Sequence, residues 1–395
     1  MAREVIVSVY LFVFRILFSS FKLFPQKEKT VGVASFGDNI FYATRSLRNI
    51  SNEEIVILKD KSCRYDFDES ISDVVMFDLK HPIDYLKSIY HLATASNVLV
   101  DTYYGFLAAV NFRHGTTCIQ LWHAAGAIKQ FGLLDPSNEH RNEKAIDRFK
   151  QVYRRFDYTV VGSEAMANTF NKSFGLTNDR ILRTGIPRTD ILINNKEKQR
   201  IYQELKRSFP IIARKKVLLY APTYRNEELS AYQLNLDIEK LYHELSEEYV
   251  LFIKLHPAIS NKLREFYSDF IYDVSDFDDT NDLLLISDLL ITDYSSIPFE
   301  YALLRKPMIF YAYDMDEYKV TSGLIEDYEN QMPGPVVTST DAIIQVIKED
   351  DFDRNQINAF AAEWNEYSDG NSSIRLARFL TGTEEEEKER EEALI

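Results

Sequence analysis

Leu289-Leu290-Ile291-Thr292-Asp293-Tyr294-Ser295-Ser296-Ile297-Pro298-Phe299-Glu300 is the stretch that decides the fold class. Its first four residues read as a buried strand. Two serines then lead into a helix whose first turn holds Pro298, a position where the absent N–H leaves no bond unmade. A strand passing through a short turn into a helix is the repeating unit of parallel α/β sheets. Free backbone N–H groups at such a helix start, with the hydroxyls of Ser295 and Ser296, suit an anion. Ordinary N-capping by either serine accounts for them equally well.

The same alternation runs outward from this stretch in both directions. Upstream, Val31–Phe36, Ile55–Lys59, Asp73–Phe77, Val98–Asp101, Thr117–Trp122 and Tyr158–Val161 read as strands, with helical periodicity over Ile83–Ala95, Glu143–Phe156 and Glu164–Phe174. The series restarts with strands Val217–Ala221, Val250–Leu255, Leu289–Thr292 and Met308–Tyr311, and helices Ile238–Glu248, Ile297–Leu304 and Ala342–Lys348. Two such series, joined through the polar stretch Asn194–Arg207, predict two Rossmann-like domains with parallel sheets facing across a cleft. The expected boundaries are 27–193 and 208–350, followed by C-terminal helices over 351–381 that pack back across the domains and an acidic tail over 382–395. In open parallel sheets ligands bind beyond the carboxyl ends of the strands, so residues that follow strands draw the attention.

With 395 residues, 45% hydrophobic and 27% charged, the chain is a folded protein long enough for two domains. Lys and Arg number 46 against 61 Asp and Glu, a net charge of −15 that disfavours a general nucleic-acid binder. The two cysteines, Cys63 and Cys118, make neither a disulfide framework nor a zinc spacing, and fit a reduced cytosolic compartment.

The ends differ sharply. Residues 5–24, VIVSVYLFVFRILFSSFKLF, are the most apolar stretch, and Ser8, Arg15, Ser19 and Lys22 share one narrow stripe of a helix. A secretory signal would need a small-residue cleavage site where Phe24-Pro25-Gln26-Lys27 stands. A spanning helix would place Arg15 in mid-membrane. The expectation is therefore an amphipathic helix over 1–26 lying at a membrane surface, with packing on the protein's own core as the alternative. The run Glu384–Glu392 reads as a solvated tail without chemistry.

Two histidines close strands. His123, in Leu121-Trp122-His123-Ala124-Ala125-Gly126-Ala127-Ile128-Lys129, precedes a small-residue turn whose Gly126 allows close backbone approach. A neutral imidazole there can take a proton from an attacking hydroxyl, and a core histidine bonded to backbone is the alternative. His256, in Lys254-Leu255-His256-Pro257, is placed to donate to a phosphate oxygen or to satisfy a carbonyl. Thr223 and Arg225, after the strand ending at Ala221, can face the same anion. Gly185-Ile186-Pro187-Arg188-Thr189-Asp190 is a weaker candidate, and Asp314-Met315-Asp316 reads as solvated carboxylates in preference to a metal site. No Walker loop, Gly-x-Gly-x-x-Gly, His-Glu-x-x-His or Gly-x-Ser-x-Gly occurs. What remains suits a diphosphate-bearing donor.

LWHAAGAIKQFGL, VGSEAMANTFNKSFG, TGIPRTD, VLLYAPTYR, FIKLHP, LLITDYSSIPFEYALLRKPMIFYAYD and YSDGNSS occur in this order between about Thr117 and Ser373. Together they resemble the CDP-glycerol glycerophosphotransferase family, the teichoic acid primases and polymerases. The resemblance implies a GT-B-like fold. It further implies transfer of glycerol phosphate from CDP-glycerol to an undecaprenyl-diphosphate-linked ManNAc-GlcNAc acceptor, with release of CMP, at the cytoplasmic face of the membrane. It implies His123 as base and His256, Ser295 and Ser296 at the donor diphosphate. Gly126, Lys129, Thr223 and Arg225 would complete the substrate contacts. Trp-His-Ala-Ala-Gly in place of the Trp-His-Gly-Thr usual in polymerases, with the short chain and no extra N-terminal module, points to a primase. A polymerase or a CDP-ribitol-using sibling is the alternative reading, and a nucleotide-sugar glycosyltransferase or a non-catalytic binding protein a more distant one. Ser322 stands where the family places an Arg, which leaves one expected phosphate contact open. No metal or other cofactor is expected, with a Mg²⁺ requirement left open; oligomeric state is not legible.

Overall fold

The computed structural model describes residues 2–223, 225, 234–255, 269–277, 279–322 and 324–383. His256, Gly323 and the acidic run from Glu384 onward lie outside the described residues. The chain divides into two units: one holds residues 2–123, 131–190 and 367–383, the other 124–130 and 191–366.

The first unit is built on β1 (Lys29–Ala34), β2 (Glu54–Lys59), β3 (Asp73–Met76), β4 (Asn97–Val100), β5 (Thr117–Gln120), β6 (Tyr158–Val160) and β7 (Ile181–Leu182). These form a seven-stranded sheet in the order β3-β2-β1-β4-β5-β6-β7, with every pairing parallel. The second unit carries β8 (Lys216–Ala221), β9 (Tyr249–Ile253), β10 (Ile271–Asp273), β11 (Leu289–Thr292), β12 (Met308–Tyr311) and β13 (Val336–Val337). They form a parallel sheet of order β10-β9-β8-β11-β12-β13. Strands buried along their whole length, as in β1, β4, β11 and β12, are what helices on both faces demand. Both sheets reverse direction of progression at one place, between β1 and β4 and between β8 and β11. Chain ends that diverge there leave a crevice beyond the strands.

All the strands expected from sequence are present, within two residues at each end. The short β7, β10 and β13 escaped because two or three residues carry no periodicity. The stretch Asn194–Arg207, read as a polar connection, is instead the helix Asn195–Ser208. Its Asn194 cap accepts from the N–H groups of Lys196 and Glu197, and only Ile201 and Leu205 are buried, so a two-residue apolar stripe hid it. Near its C-terminus the chain returns to the first unit. Asp190 accepts from the backbone N–H groups of Ser372 and Ser373 at 2.9 and 2.8 Å, and Arg375 donates to the Thr184 carbonyl. The fragments TGIPRTD and YSDGNSS are thus two halves of one clasp.

The N-terminal helix, Ala2–Phe21, packs one face on the protein and leaves the other exposed. Phe14 and Phe18 are 1% and 2% exposed, Tyr10 and Tyr85 share a 2.8 Å hydroxyl hydrogen bond, and Glu4 pairs with Arg148 at 3.0 Å. One face therefore packs on the unit's own core. From the stripe, Lys22 donates to the Asn111 carbonyl at 2.8 Å and Arg15 to Ala109 at 3.4 Å. The opposite face, Val5, Ile6, Val9, Phe12, Val13 and Ile16, lies 49–68% exposed. By length and composition the helix is also apolar enough to cross a membrane.

Candidate active site

In the first unit the interesting groups collect beyond β1, β4 and β5. Two residues past β5, the His123 ring is stacked between Phe36, at 4.1 Å and 5°, and Trp122, at 4.3 Å and 29°. Trp122 in turn lies on Phe131 at 4.9 Å, which completes a stack of four rings. Both faces of the imidazole are covered, so only its edge can do chemistry. One edge nitrogen is committed: Nδ1 lies 3.1 Å from the Asp101 carbonyl. A carbonyl can only accept, so Nδ1 carries the hydrogen and the Nε2 lone pair stays available. Burial drives the His123 pKa down to about 4; the Asp101 carbonyl opposes this, and the Arg188 charge adds to it. A neutral ring with an unprotonated Nε2 is the required state of a general base.

The turn that presents His123 is strained. Trp122 has φ 59°, a left-handed conformation that costs a bulky residue about 1–3 kcal/mol. Its N–H is held by the Gln120 side chain at 2.9 Å and its carbonyl by Asn39 at 3.0 Å. Asn39 also accepts from the Arg188 N–H, whose guanidinium pairs with Asp38 at 2.7 Å. Arg188 of the weaker sequence candidate therefore belongs to the surroundings of His123.

Asp101, which no motif singled out as a site residue, organises this region. Fully buried, its carboxylate accepts the N–H groups of Ser35, Phe36 and Gly37 at 2.9–3.1 Å and the Tyr104 hydroxyl at 2.8 Å. Burial raises its pKa to about 6 against the pull of those donors. Through one residue, the carbonyl fixes the His123 tautomer and the carboxylate fixes the turn that lays Phe36 on the ring.

The second unit repeats the placement. Asp293 follows β11 as Asp101 follows β4, and it too reaches the turn after the unit's first strand, accepting the Thr223 N–H at 2.7 Å. Arg225 is held by Asp293 at 3.0 Å and by Asp314 at 2.7 and 3.0 Å, and donates to the Thr223 carbonyl at 2.6 Å. Its guanidinium also lies over Tyr318 at 4.6 Å and Tyr294 at 5.1 Å. Burial works against the Arg225 charge, but the Asp314 hydrogen bonds and the Asp293 charge outweigh it and raise its pKa. Asp293, completely buried, is pushed up by desolvation while Arg225 pulls it down. Asp314, read from sequence as a solvated carboxylate, is an Arg225 partner. Arg225 thus directs most of its donors at carboxylates of its own unit.

Lys129 also lies near this group, its Nζ 5.0 Å from the Tyr318 ring centroid, with its pKa lowered to about 8, chiefly by burial. The backbone that carries it is fixed to the second unit by the Ile325 N–H to Ile128 carbonyl bond of 3.0 Å and the Ala125 N–H to Glu300 bond of 2.9 Å. Gly126 is glycine because the Phe299 ring occupies the space a Cβ would need. Ser295 accepts from the Ile297 N–H at 3.1 Å, whereas Ser296, the residue before the helix Ile297–Tyr301, makes no side-chain cap bond. Among the described residues no group of three or more His, Cys, Asp or Glu side chains is arranged to hold a metal.

Residues 56–382 match the family described as CDP-glycerol:poly(glycerophosphate) glycerophosphotransferase. The chain belongs to this family. Glycerophosphotransferases of this kind move glycerol phosphate from CDP-glycerol in teichoic acid synthesis, and the chain is an enzyme of that class. It is 42% identical over 309 residues to the teichoic acid glycerol-phosphate primase of Bacillus subtilis (strain 168), covering 78% of this chain and 79% of that one. It is 35% identical over 300 residues to the teichoic acid ribitol-phosphate primase of Bacillus spizizenii, covering 74% and 77%. The wall teichoic acid polymerase TagF superposes over 98% of this glycerophosphotransferase and 99% of its own chain, with TM-score 0.81 at 23% identity. The likeness bears out the GT-B-like expectation at the level of the fold.

Proposed function

We propose that this glycerophosphotransferase uses CDP-glycerol to add one glycerol phosphate to a lipid-linked ManNAc-GlcNAc acceptor, releasing CMP. The observation that carries the reading is the match to glycerol-phosphate primases. Two of them, from Bacillus subtilis and Bacillus spizizenii, are 42% and 40% identical over most of both chains. The acceptor oxygen forms a bond to the glycerol-bearing phosphorus, the bond from that phosphorus to the bridging diphosphate oxygen breaks, and the electron pair leaves with CMP. The hydroxyl proton passes to His123 Nε2. Little covalent work is asked of the protein beyond positioning, charge stabilisation and that proton. Lys129, Ser295 and Ser296 serve the donor phosphates together with His256. Gly126 and Thr223 act through backbone placement. Arg225, bound to Asp293 and Asp314, shapes the donor side and offers it one remaining N–H edge.

The outward apolar face of the N-terminal helix supports a peripheral position at the cytoplasmic face of the membrane, where a lipid-linked acceptor resides. The deciding experiment incubates the enzyme with CDP-glycerol and a short-chain analogue of the disaccharide lipid, followed by product mass and CMP release. A single added unit supports priming. A ladder of products makes the enzyme a polymerase, and product from CDP-ribitol alone changes the donor.

A further inference from the structure

Beneath the first half of the N-terminal helix lies a cavity of about 560 Å³, wholly within the first unit. That is the size of a small-molecule site. The helix roofs it with Val7, Tyr10 and Leu11, and Tyr103, Phe149 and Phe174 are among its walls. Trp122, with His123 stacked on one face and Phe131 on the other, lines one side together with Phe131.

The polar atoms in its lining are mostly committed already. Gln120 bonds the Thr102 carbonyl and the Trp122 N–H, Tyr10 bonds Tyr85, and Asp135 accepts the Ser137 N–H. A sugar would find few partners for its hydroxyls. The charged side chains of the lining are three arginines, Arg3, Arg141 and Arg148, against one carboxylate, Asp135. Arg148 is neutralised by Glu4, but among the described residues neither Arg141, which donates to the Ser137 hydroxyl and lies over Phe149 near Tyr103 and Tyr153, nor Arg3 is paired with a carboxylate within salt-bridge distance. The same helix that roofs the cavity turns Val5, Ile6, Val9 and Phe12 outward. Apolar side chains therefore stand both on the outside of the helix and in the chamber under it, with guanidinium groups in the chamber lining.

We propose that this cavity receives the first part of a single apolar chain bearing a phosphate or diphosphate head, the head meeting Arg3 and Arg141. The proposal rests on the lipid-linked acceptor reading above and adds to it a place for the lipid. It accounts for the stack as well: the Phe131 and Trp122 rings stand between the chamber and the imidazole that would take the acceptor's proton. Guanidinium pairs with phosphate oxygens give such a head geometric specificity.

Farnesyl diphosphate is the probe, read by intrinsic fluorescence in Trp364→Phe, which leaves Trp122 as the single tryptophan of the two in the chain. Saturable quenching is expected with farnesyl diphosphate, and at least tenfold weaker responses with inorganic pyrophosphate or farnesol. Gly105→Leu fills the chamber with little strain, because a Cβ there has only the Tyr103 ring within 4.0 Å. It should weaken farnesyl diphosphate binding at least tenfold, and Val7→Phe, filling from the helix side, should do the same if Gly105→Leu folds poorly. The paired Arg3→Ala and Arg141→Ala change should erase the preference for farnesyl diphosphate over farnesol. Binding that persists in the filled variants would place the chain on the outer helix face, which both leave intact, and overturn the proposal; so would no binding to the parent.

Turnover separates this from the acceptor reading. Gly105→Leu should lose activity on a prenyl-linked acceptor and keep it on a chain-free analogue. If the parent turns over neither, the acceptor reading fails, while the binding result still decides the cavity.

Discussion

A His123 that stays neutral in mild acid is the expectation that probes the site most directly. The perturbation is pH, and the magnitude follows from the ring's surroundings. With the pKa pushed down to about 4, roughly 90% of the rings are neutral at pH 5, against about 3% for an ordinary histidine at 6.5, a contrast of about 30-fold in available base. Nitrogen-15 labelling of the seven histidines, with His123 assigned by its loss in His123→Ala, reads both quantities at once. The Nδ1–H tautomer should dominate and the titration midpoint should fall near 4. Phe36→Ala uncovers one face of the ring and should raise the midpoint toward 6.5. Kinetics complete the test: His123→Ala should lower kcat by about 10²–10⁴-fold with donor affinity nearly intact, the usual cost of losing a general base. Because burial pushes the Asp101 carboxyl up to about 6, a step there in the rate profile would belong to the turn and should vanish in Asp101→Asn. An Nε2–H tautomer or a midpoint of 6 or above would refute the geometric argument. Saturating turnover left unchanged by His123→Ala would remove the base assignment altogether.

Asp101→Asn should cost about 1–3 kcal/mol in urea unfolding, since an amide cannot satisfy three converging N–H groups as a carboxylate does, and should lower kcat through a loosened His123. Replacing Val5, Ile6, Val9 and Phe12 by Gln should release the enzyme from lipid vesicles in a sedimentation assay with Tm unchanged. Deleting residues 2–24 should instead lower Tm, because it removes the buried Phe14 and Phe18. His123 also makes folding acid-sensitive: its pKa is depressed on folding, so the stability this contributes is present above about pH 6.5 and is lost as pH falls toward 4. His123→Phe should flatten that part of the stability profile in urea titrations at pH 7 and 5.

Much of the scaffold was legible because buried parallel strands write themselves as short Val- and Ile-rich runs. Leu289–Thr292 and Met308–Tyr311 were found to the residue. The helix Asn195–Ser208 was not, for it buries two apolar side chains and otherwise reads as solvent-exposed charge. At the site, His123 was visible as a polar residue ending an apolar run. Its neutral, Nδ1–H state was not, since the Phe36 ring on one of its faces and the Asp101 carbonyl that fixes its tautomer follow other strands, β1 and β4. Gly126 was noted for the right property and a different neighbour: the group that approaches it is Phe299. Arg225 was read as an anion contact, yet sequence spacing cannot show that Asp293 and Asp314, 68 and 89 residues away, converge on the same guanidinium.

A further signal stands in the sequence. Both Asp101 and Asp293 stand immediately after the strand that flanks the first strand of their sheets, where the order reverses. An acidic residue at that place faces the backbone N–H groups of the turn after the first strand, the usual cradle for a phosphate in this architecture. In the first unit the Asp101 carboxylate fills the cradle, taking three N–H groups and a hydroxyl, so a diphosphate bound there would have to displace a buried anion. In the second unit Asp293 takes one N–H and is itself faced by Arg225, with Lys129 nearby, so cationic charge accompanies the carboxylate. In the first unit the turn after the first strand thus supports a histidine at the place where this architecture usually binds an anion. The second places Arg225 and Lys129 at the corresponding position, which suits the proposed division between a base acting on one substrate and a binding place for the other.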